Sequence, residues 1–145
     1  MYDEYKYSNI TQKIIGCAFK VHNYFGLGFK EEIYERSLII EMTKIGLNCT
    51  SQEVRNIYYF NDLVGKCRLD VLVDDKVLLE LKAIAELTED CSNRILNYLK
   101  VFNIHVGLLL NFGSGSLQIR RFGISNQSAK HESILICDIK PAIYV

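Results

Sequence analysis

No proline precedes position 141, and no repeat, low-complexity tract or interdomain linker interrupts the chain. Its 145 residues, 49% of them apolar, are therefore expected to form a single domain, residues 1–145, around a real hydrophobic core. Net charge is absent as well. Seventeen basic residues balance 17 acidic ones, so nothing global draws the protein onto nucleic acid or an anionic membrane. That excludes a high-affinity, non-specific DNA binder but leaves room for a local basic groove. The five cysteines, at 17, 49, 67, 91 and 137, are odd in number and form no C-x-x-C pair, which favours reduced thiols in a cytoplasmic protein over a disulfide framework or zinc site. His22, His105 and His131 show no metal-ligand spacing. Asp3, Glu4 and Lys6 stand where a signal peptide needs an apolar run, and no apolar stretch approaches the roughly 20 residues that cross a bilayer. The expected location is cytoplasmic, with no membrane partner.

What is present is a clear order of elements. Residues 9–25 read as a helix, with Asn9 and Gln12 in the relation of a capping box and Ile14, Ala18, Val21 and Phe25 at helical intervals. Gly26-Leu27-Gly28 turns the chain into a second helix, about 30–45, stopped by Gly46. Strand-like segments near 52–60, 66–73 and 77–83 follow, separated by Asn61-Asp62 with Gly65 and by Asp74-Asp75. They predict an antiparallel meander. Thr88 to Asp90 supply a helix start, and Ile95, Leu96, Leu99 and Phe102 give a third helix an apolar face. The apolar run from His105 to Leu110 suits a strand covered on both sides. Gly113-Ser114-Gly115 reverses the chain into a strand at 117–122, and Ile134 to Ile139 reads as an added strand. The fold class is α/β with a mixed sheet.

The chemistry is concentrated in RLDVLVDDKVLLELKA, residues 68–83. Side chains alternate across a strand, so Glu80 and Lys82 project from one face, roughly 6–7 Å apart along the backbone, with Leu79 and Leu81 on the other. A two-residue turn at Asp74-Asp75 would pair position 70 with 79 and send the two acids to opposite faces. A shared face for Asp70 and Glu80 thus predicts a three-residue loop or a bulge. Two carboxylates and a backbone carbonyl supply part of an octahedral oxygen shell for Mg²⁺ or Mn²⁺, while Lys82 is placed to orient or deprotonate an attacking water. The plainer alternative is that Glu80 and Lys82 form a solvent-facing pair on an edge strand. Glu31 adds a third acid, because Glu31, Tyr34, Leu38, Met42 and Ile45 fall on one stripe of the second helix. A carboxylate there needs a partner, which the metal site or a lysine would provide; alternatively Glu31 simply suits a first turn, where negative charge is favoured. Glu32 and Glu35, off the stripe, are expected to be solvated.

With Gly28-x-x-Glu31-x-x-Tyr34, Asp70, LELK at 79–82, LNYLK at 96–100 and GLLLNFG at 107–113, the sequence resembles the GxxExxY family, grouped with the PD-(D/E)XK nuclease-like superfamily. The resemblance covers about residues 8–122 and leaves 123–145 as a C-terminal extension. It implies a restriction-endonuclease-like αβββαβ core with an extra N-terminal helix, and a Mg²⁺-dependent nuclease-type site. Carried over by position, it makes Asp70 and Glu80 metal ligands, Lys82 the catalytic lysine, Glu31 an additional acid and Tyr98 a supporting residue. One departure stands out: Arg94 occupies the position, one helical turn before the tyrosine, where the family commonly has glutamine. A guanidinium there has three readings, namely bidentate phosphate binding, pairing with Glu80 or Asp70 in competition with the metal, or pointing away.

The preferred function is hydrolysis of phosphodiesters in DNA, with RNA less favoured, and with Lys66, Arg68, Lys100, Arg120 and Arg121 as candidates for a basic rim. The alternative is a catalytically weak or inactive nuclease-fold module that binds nucleic acid or a protein partner, which neutral charge and Arg94 both favour. A small-molecule enzyme has little behind it, since the glycines at 26 and 28 form no phosphate cradle. A homodimer is one way for so small a domain to enlarge its binding surface.

Overall fold

The computed structural model describes residues 6–125 and 134–139. His131 and Pro141 lie outside the described residues. In chain order the elements are α1 (Ser8–Phe25), α2 (Glu31–Lys44), β1 (Cys49–Tyr59), β2 (Asp62–Val73), β3 (Val77–Lys82), α3 (Glu89–Phe102), β4 (Val106–Asn111), β5 (Gln118–Ile124) and β6 (Ile134–Ile139). The strands form one sheet in sequence order, antiparallel throughout except where β3 and β4 run parallel. That parallel pair needs a crossover, and α3 supplies it.

Helices cover both faces of the sheet. On one side Ile14, Ala18 and Val21 of α1 and Tyr34, Leu38 and Met42 of α2 pack onto Val71, Val77, Leu79, Leu81, Leu108 and Leu110. On the other, Ile95 and Leu99 of α3 pack onto Leu72, Leu78, Leu109 and Phe122. Strands β3 and β4 contribute to both layers, which is why β4 reads as an apolar run and β3 is apolar up to Glu80. Gly107 marks the closest approach of α3, for a Cβ there would meet Ile95 Cδ1 at 3.0 Å and Leu99 Cδ2 at 3.2 Å.

Three local expectations need correction. The capping box does not form: α1 opens at Ser8, so Asn9 is already inside the helix, and Tyr7 ahead of it makes no side-chain cap. Ile45 leaves the apolar stripe because α2 ends at Lys44 in a Schellman arrangement. Leu47 N–H donates to Met42 C=O at 3.1 Å and Gly46 N–H to Thr43 C=O at 3.0 Å, with Gly46 at φ 88°. This turn folds Leu47 into the core and leaves Ile45 exposed. Gly65 belongs to β2 and not to the turn: the hairpin reverses at Phe60-Asn61, and a register shift at Ile57/Tyr58 places Gly65 opposite Ile57. The Ile134–Ile139 strand forms as β6, paired along its length with β5.

Candidate active site

The hairpin between β2 and β3 sets the geometry. Val73 pairs with Val77 and Val71 with Leu79, so the loop has three residues, 74–76, the odd number that a shared face for Asp70 and Glu80 requires. Asp74 and Asp75 adopt positive φ in that loop, and Asp74 Oδ1 accepts a hydrogen bond from Asn48 N–H at 2.9 Å, tying the turn to the start of β1. Beyond Leu79 the pairing of β2 with β3 stops. Leu81 N–H, which the ladder no longer reaches, instead donates to Asp70 Oδ2 at 3.0 Å. The opposing strand bends at the same point: Gln52 has φ 55°, and Leu69 and Leu72, three apart, both pack toward α3. Asp70 therefore sits where strand alternation is broken, and its carboxylate bridges two separating strands.

Glu80 projects from β3 on the α3 side, opposite the Leu79 and Leu81 face, and only 2% of it is exposed. Burial pushes its carboxyl up to about 7, reinforced by the Asp70 charge and a hydrogen bond with Asp70, while Arg94 and Lys82 pull the other way. Its Oε2 is buried without a hydrogen bond. Arg94 Nε lies 3.5 Å from that oxygen, near enough for an ion pair but not aligned for a hydrogen bond. Of the three readings of Arg94, the geometry is that of pairing with Glu80. Tyr98, one turn on, lies under the guanidinium at 5.4 Å from its ring centre and packs against the α3-side core.

Glu31 is the first residue of α2 and is open to solvent over much of its surface. Partial burial raises its carboxyl, Lys82 lowers it, Asp70 raises it and Arg94 lowers it, so Glu31 faces the same group of charges. It borders a cleft of about 490 Å³ with Glu35, Ser51, Gln52 and Asp70. Glu35 is not free in solvent as its position off the stripe suggests: its carboxylate accepts hydrogen bonds from Ser51 Oγ at 3.1 Å and Gln52 Nε2 at 2.9 Å, which hold α2 against β1.

The expected basic rim is smaller than its sequence suggests. Lys66 and Arg68 are exposed on β2. Arg120, by contrast, is held by Asp138 at 2.7 Å and Ser92 at 2.8 Å, and Arg121 is buried and donates to Thr11 Oγ1 and Lys6 C=O. Both belong to the sheet's own polar network. Lys100 is exposed on α3 but lies well beyond Arg94 toward that helix's C-terminal end.

Two supports of the site were not legible as such in the sequence. The Tyr34 hydroxyl donates to Gly26 C=O at 2.6 Å and accepts from Phe29 N–H at 3.2 Å, while its ring stacks on Phe112 at 4.8 Å. Tyr34 thereby fixes the turn that aims α2, and Glu31 at its head, toward β3. Asn111, opposite Lys82 in the parallel ladder, clamps the chain just past the lysine: its amide bonds Ile84 N–H at 3.0 Å and Ile84 C=O at 2.9 Å, and Phe112 N–H holds Lys82 C=O at 2.8 Å. Gly113 completes the clamp, since a Cβ there would lie 2.3 Å from Ile84 N. An asparagine and a glycine closing an apolar strand were the available signal.

Among the described residues no group of three or more His, Cys, Asp and Glu side chains is gathered as a metal-binding set. The acids brought into contact are the pair Asp70 and Glu80, with Glu31 at the cleft mouth. That pair fits a hard divalent cation, because it is all oxygen and includes one buried carboxylate oxygen with no hydrogen bond. No helix of the described residues is long and apolar enough to cross a membrane. No curated protein and no solved structure gives a significant match. Residues 8–122 match the family model described as the PD-(D/E)XK nuclease superfamily, a span that contains the mixed sheet, the Asp70–Glu80 contact and the Glu-x-Lys strand. The chain belongs to the PD-(D/E)XK nuclease superfamily.

Proposed function

We propose that the protein is a metal-dependent nuclease that hydrolyses phosphodiester bonds in DNA, with RNA the less favoured substrate, as a single cytoplasmic domain. The observation that carries this reading is the contact between Asp70 and Glu80 at the point where β2 and β3 separate, with Lys82 on the Glu80 face. Asp70 and Glu80 are the ligands for Mg²⁺ or Mn²⁺, a cation that would neutralise the scissile phosphate when bound. Lys82 is placed to orient the attacking water through its ammonium. Glu31 contributes a further carboxylate from the cleft mouth, and Tyr98 packs beneath Arg94. The narrower GxxExxY assignment belongs to this proposal and rests on the motifs at 28–34, 79–82, 96–100 and 107–113.

A weak or inactive nuclease-fold module is the second reading, and one observation favours it. Arg94 already offers a positive charge to the Glu80 oxygen that a metal would use. The experiment is a cleavage assay with Mg²⁺ and Mn²⁺ on linear, circular and single-stranded substrates, comparing wild type with Glu80→Ala and Lys82→Ala. Metal-dependent turnover lost in both variants is expected. Absent turnover, or turnover that survives both changes, overturns the hydrolase reading.

A further inference from the structure

The β1–β2 hairpin continues outward past the two helical layers. Beyond Leu69 none of its residues is buried, and its two faces differ. One face, with Glu53, Arg55, Cys67 and Leu69, turns toward α3; the Arg55 guanidinium lies 5.4 Å from the Phe102 ring. The opposite face presents Val54, Asn56, Lys66 and Arg68 to solvent. This open face carries two cations and no acid, and neither cation forms an ion pair with a described residue. At its far end Tyr58 is exposed on this face, and Phe60, in the turn that closes the hairpin, is 85% exposed. At its near end the face runs into Ser51, Gln52 and Asp70, which line the cleft of the candidate site.

A two-stranded ribbon is marginal in water, and exposed aromatics on one are a liability unless something covers them. We infer that the open face of this arm is a track for a single-stranded polynucleotide leading to the Asp70–Glu80 site, an inference that rests on the nuclease reading. Arg68 and Lys66 lie two and four residues from Asp70, about 7 and 13 Å along the strand. They are spaced to meet backbone phosphates next to the one being cleaved. Tyr58 on the open face and Phe60 at the tip offer flat faces on which unpaired bases stack, the combination of cations and aromatics that single strands select. A second copy of the chain suits this face poorly, because pairing it with itself would set Lys66 and Arg68 against the same cations.

The test is fluorescence anisotropy with the full-length chain and a labelled oligonucleotide of about 12 nucleotides, single-stranded and duplex, in EDTA so that binding is read without cleavage. The single strand is expected to bind more tightly than the duplex. Lys66→Glu with Arg68→Glu is expected to weaken it about tenfold or more and to reduce the salt slope by roughly 1.4, two contacts at about 0.7 each. Tyr58→Ser and Phe60→Ser together are expected to weaken it about fivefold or more at unchanged slope. All the substituted side chains are exposed, and melting curves verify that each variant folds. Unchanged affinity in both variants overturns the inference, as does preference for duplex, or a wild-type dimer in sedimentation that the arm variants abolish. Arm-dependent binding in EDTA, with no turnover in the separate Mg²⁺ and Mn²⁺ cleavage assay, would sink the nuclease reading and leave the arm as a single-strand binding face alone, so the two failures are distinct.

Discussion

Asn111 and Glu80 are buried polar side chains at the ends of neighbouring parallel strands, and they are treated in opposite ways. Asn111 is 0% exposed and fully engaged: its amide serves Ile84 N–H, Ile84 C=O, Gln118 and Gly113 N–H. Glu80 is nearly as buried, yet one of its oxygens has no hydrogen bond and its carboxyl is pushed up to about 7. A buried polar group is inexpensive when satisfied and costly when not; Arg121 Nε shares this state, but its guanidinium bonds Thr11 and Lys6 through its other nitrogens, whereas the Glu80 oxygen has only the Arg94 charge beside it. Asn111 fixes the frame; in the proposed nuclease reading, Glu80 is the group the frame holds ready.

That contrast can be broken from either side. The largest effect expected is on turnover: Glu80→Gln should reduce metal-dependent cleavage by about 10³-fold or more, near 4 kcal/mol of barrier, in a single-turnover assay. Asn111→Ala should leave Ile84 N–H and C=O unpaired in a dry site and cost about 3 kcal/mol, read as a lowered urea midpoint. Gly113→Ala should cost as much, because the Ala83–Ile84 backbone cannot give way.

Glu80→Gln should do the reverse to stability. A carboxyl raised from 4.5 to about 7 binds more protons folded than unfolded, so wild-type stability falls as pH rises through that window and is lowest above about 7. The glutamine variant lacks this penalty. It should be more stable than wild type by up to about 3 kcal/mol at pH 8, with the gap closing toward pH 4. A gap that widens on acidification would show that Glu80 is held charged, contrary to its surroundings. The smallest effect concerns Arg94. Replacing it with glutamine removes a competing cation and should raise Mn²⁺ affinity about three- to tenfold in titration calorimetry. Weaker metal binding in that variant would mean Arg94 organises the site instead of competing for it.

The order of elements was readable because it is written in local chemistry: helical spacing in α1 and α3, an apolar run in β4, glycine after α2. The Glu-x-Lys pair shared a face by strand alternation alone, and the demand for an odd loop between Asp70 and Glu80 followed from the same rule. Less was readable where polar groups find distant partners. Arg120 and Arg121 look like surface cations until β6 and α1 close over them, and Asn9 looks like a cap until Ser8 starts the helix. Asn111 reads as the end of a strand; its four bonds span residues 84–118, which no window of sequence brings together.

By itself the sequence determined the α/β class and the strand faces and singled out the candidate acids and lysine, since these depend on neighbours a few positions apart. Only the tertiary structure decided that Asp70 caps the separating strands, that Arg94 meets Glu80, and that Glu80 is dry enough to hold its proton near neutrality. Those are properties of solvent exclusion and of charges brought together from different elements, and such distances come into being only when the sheet and α3 close on one another.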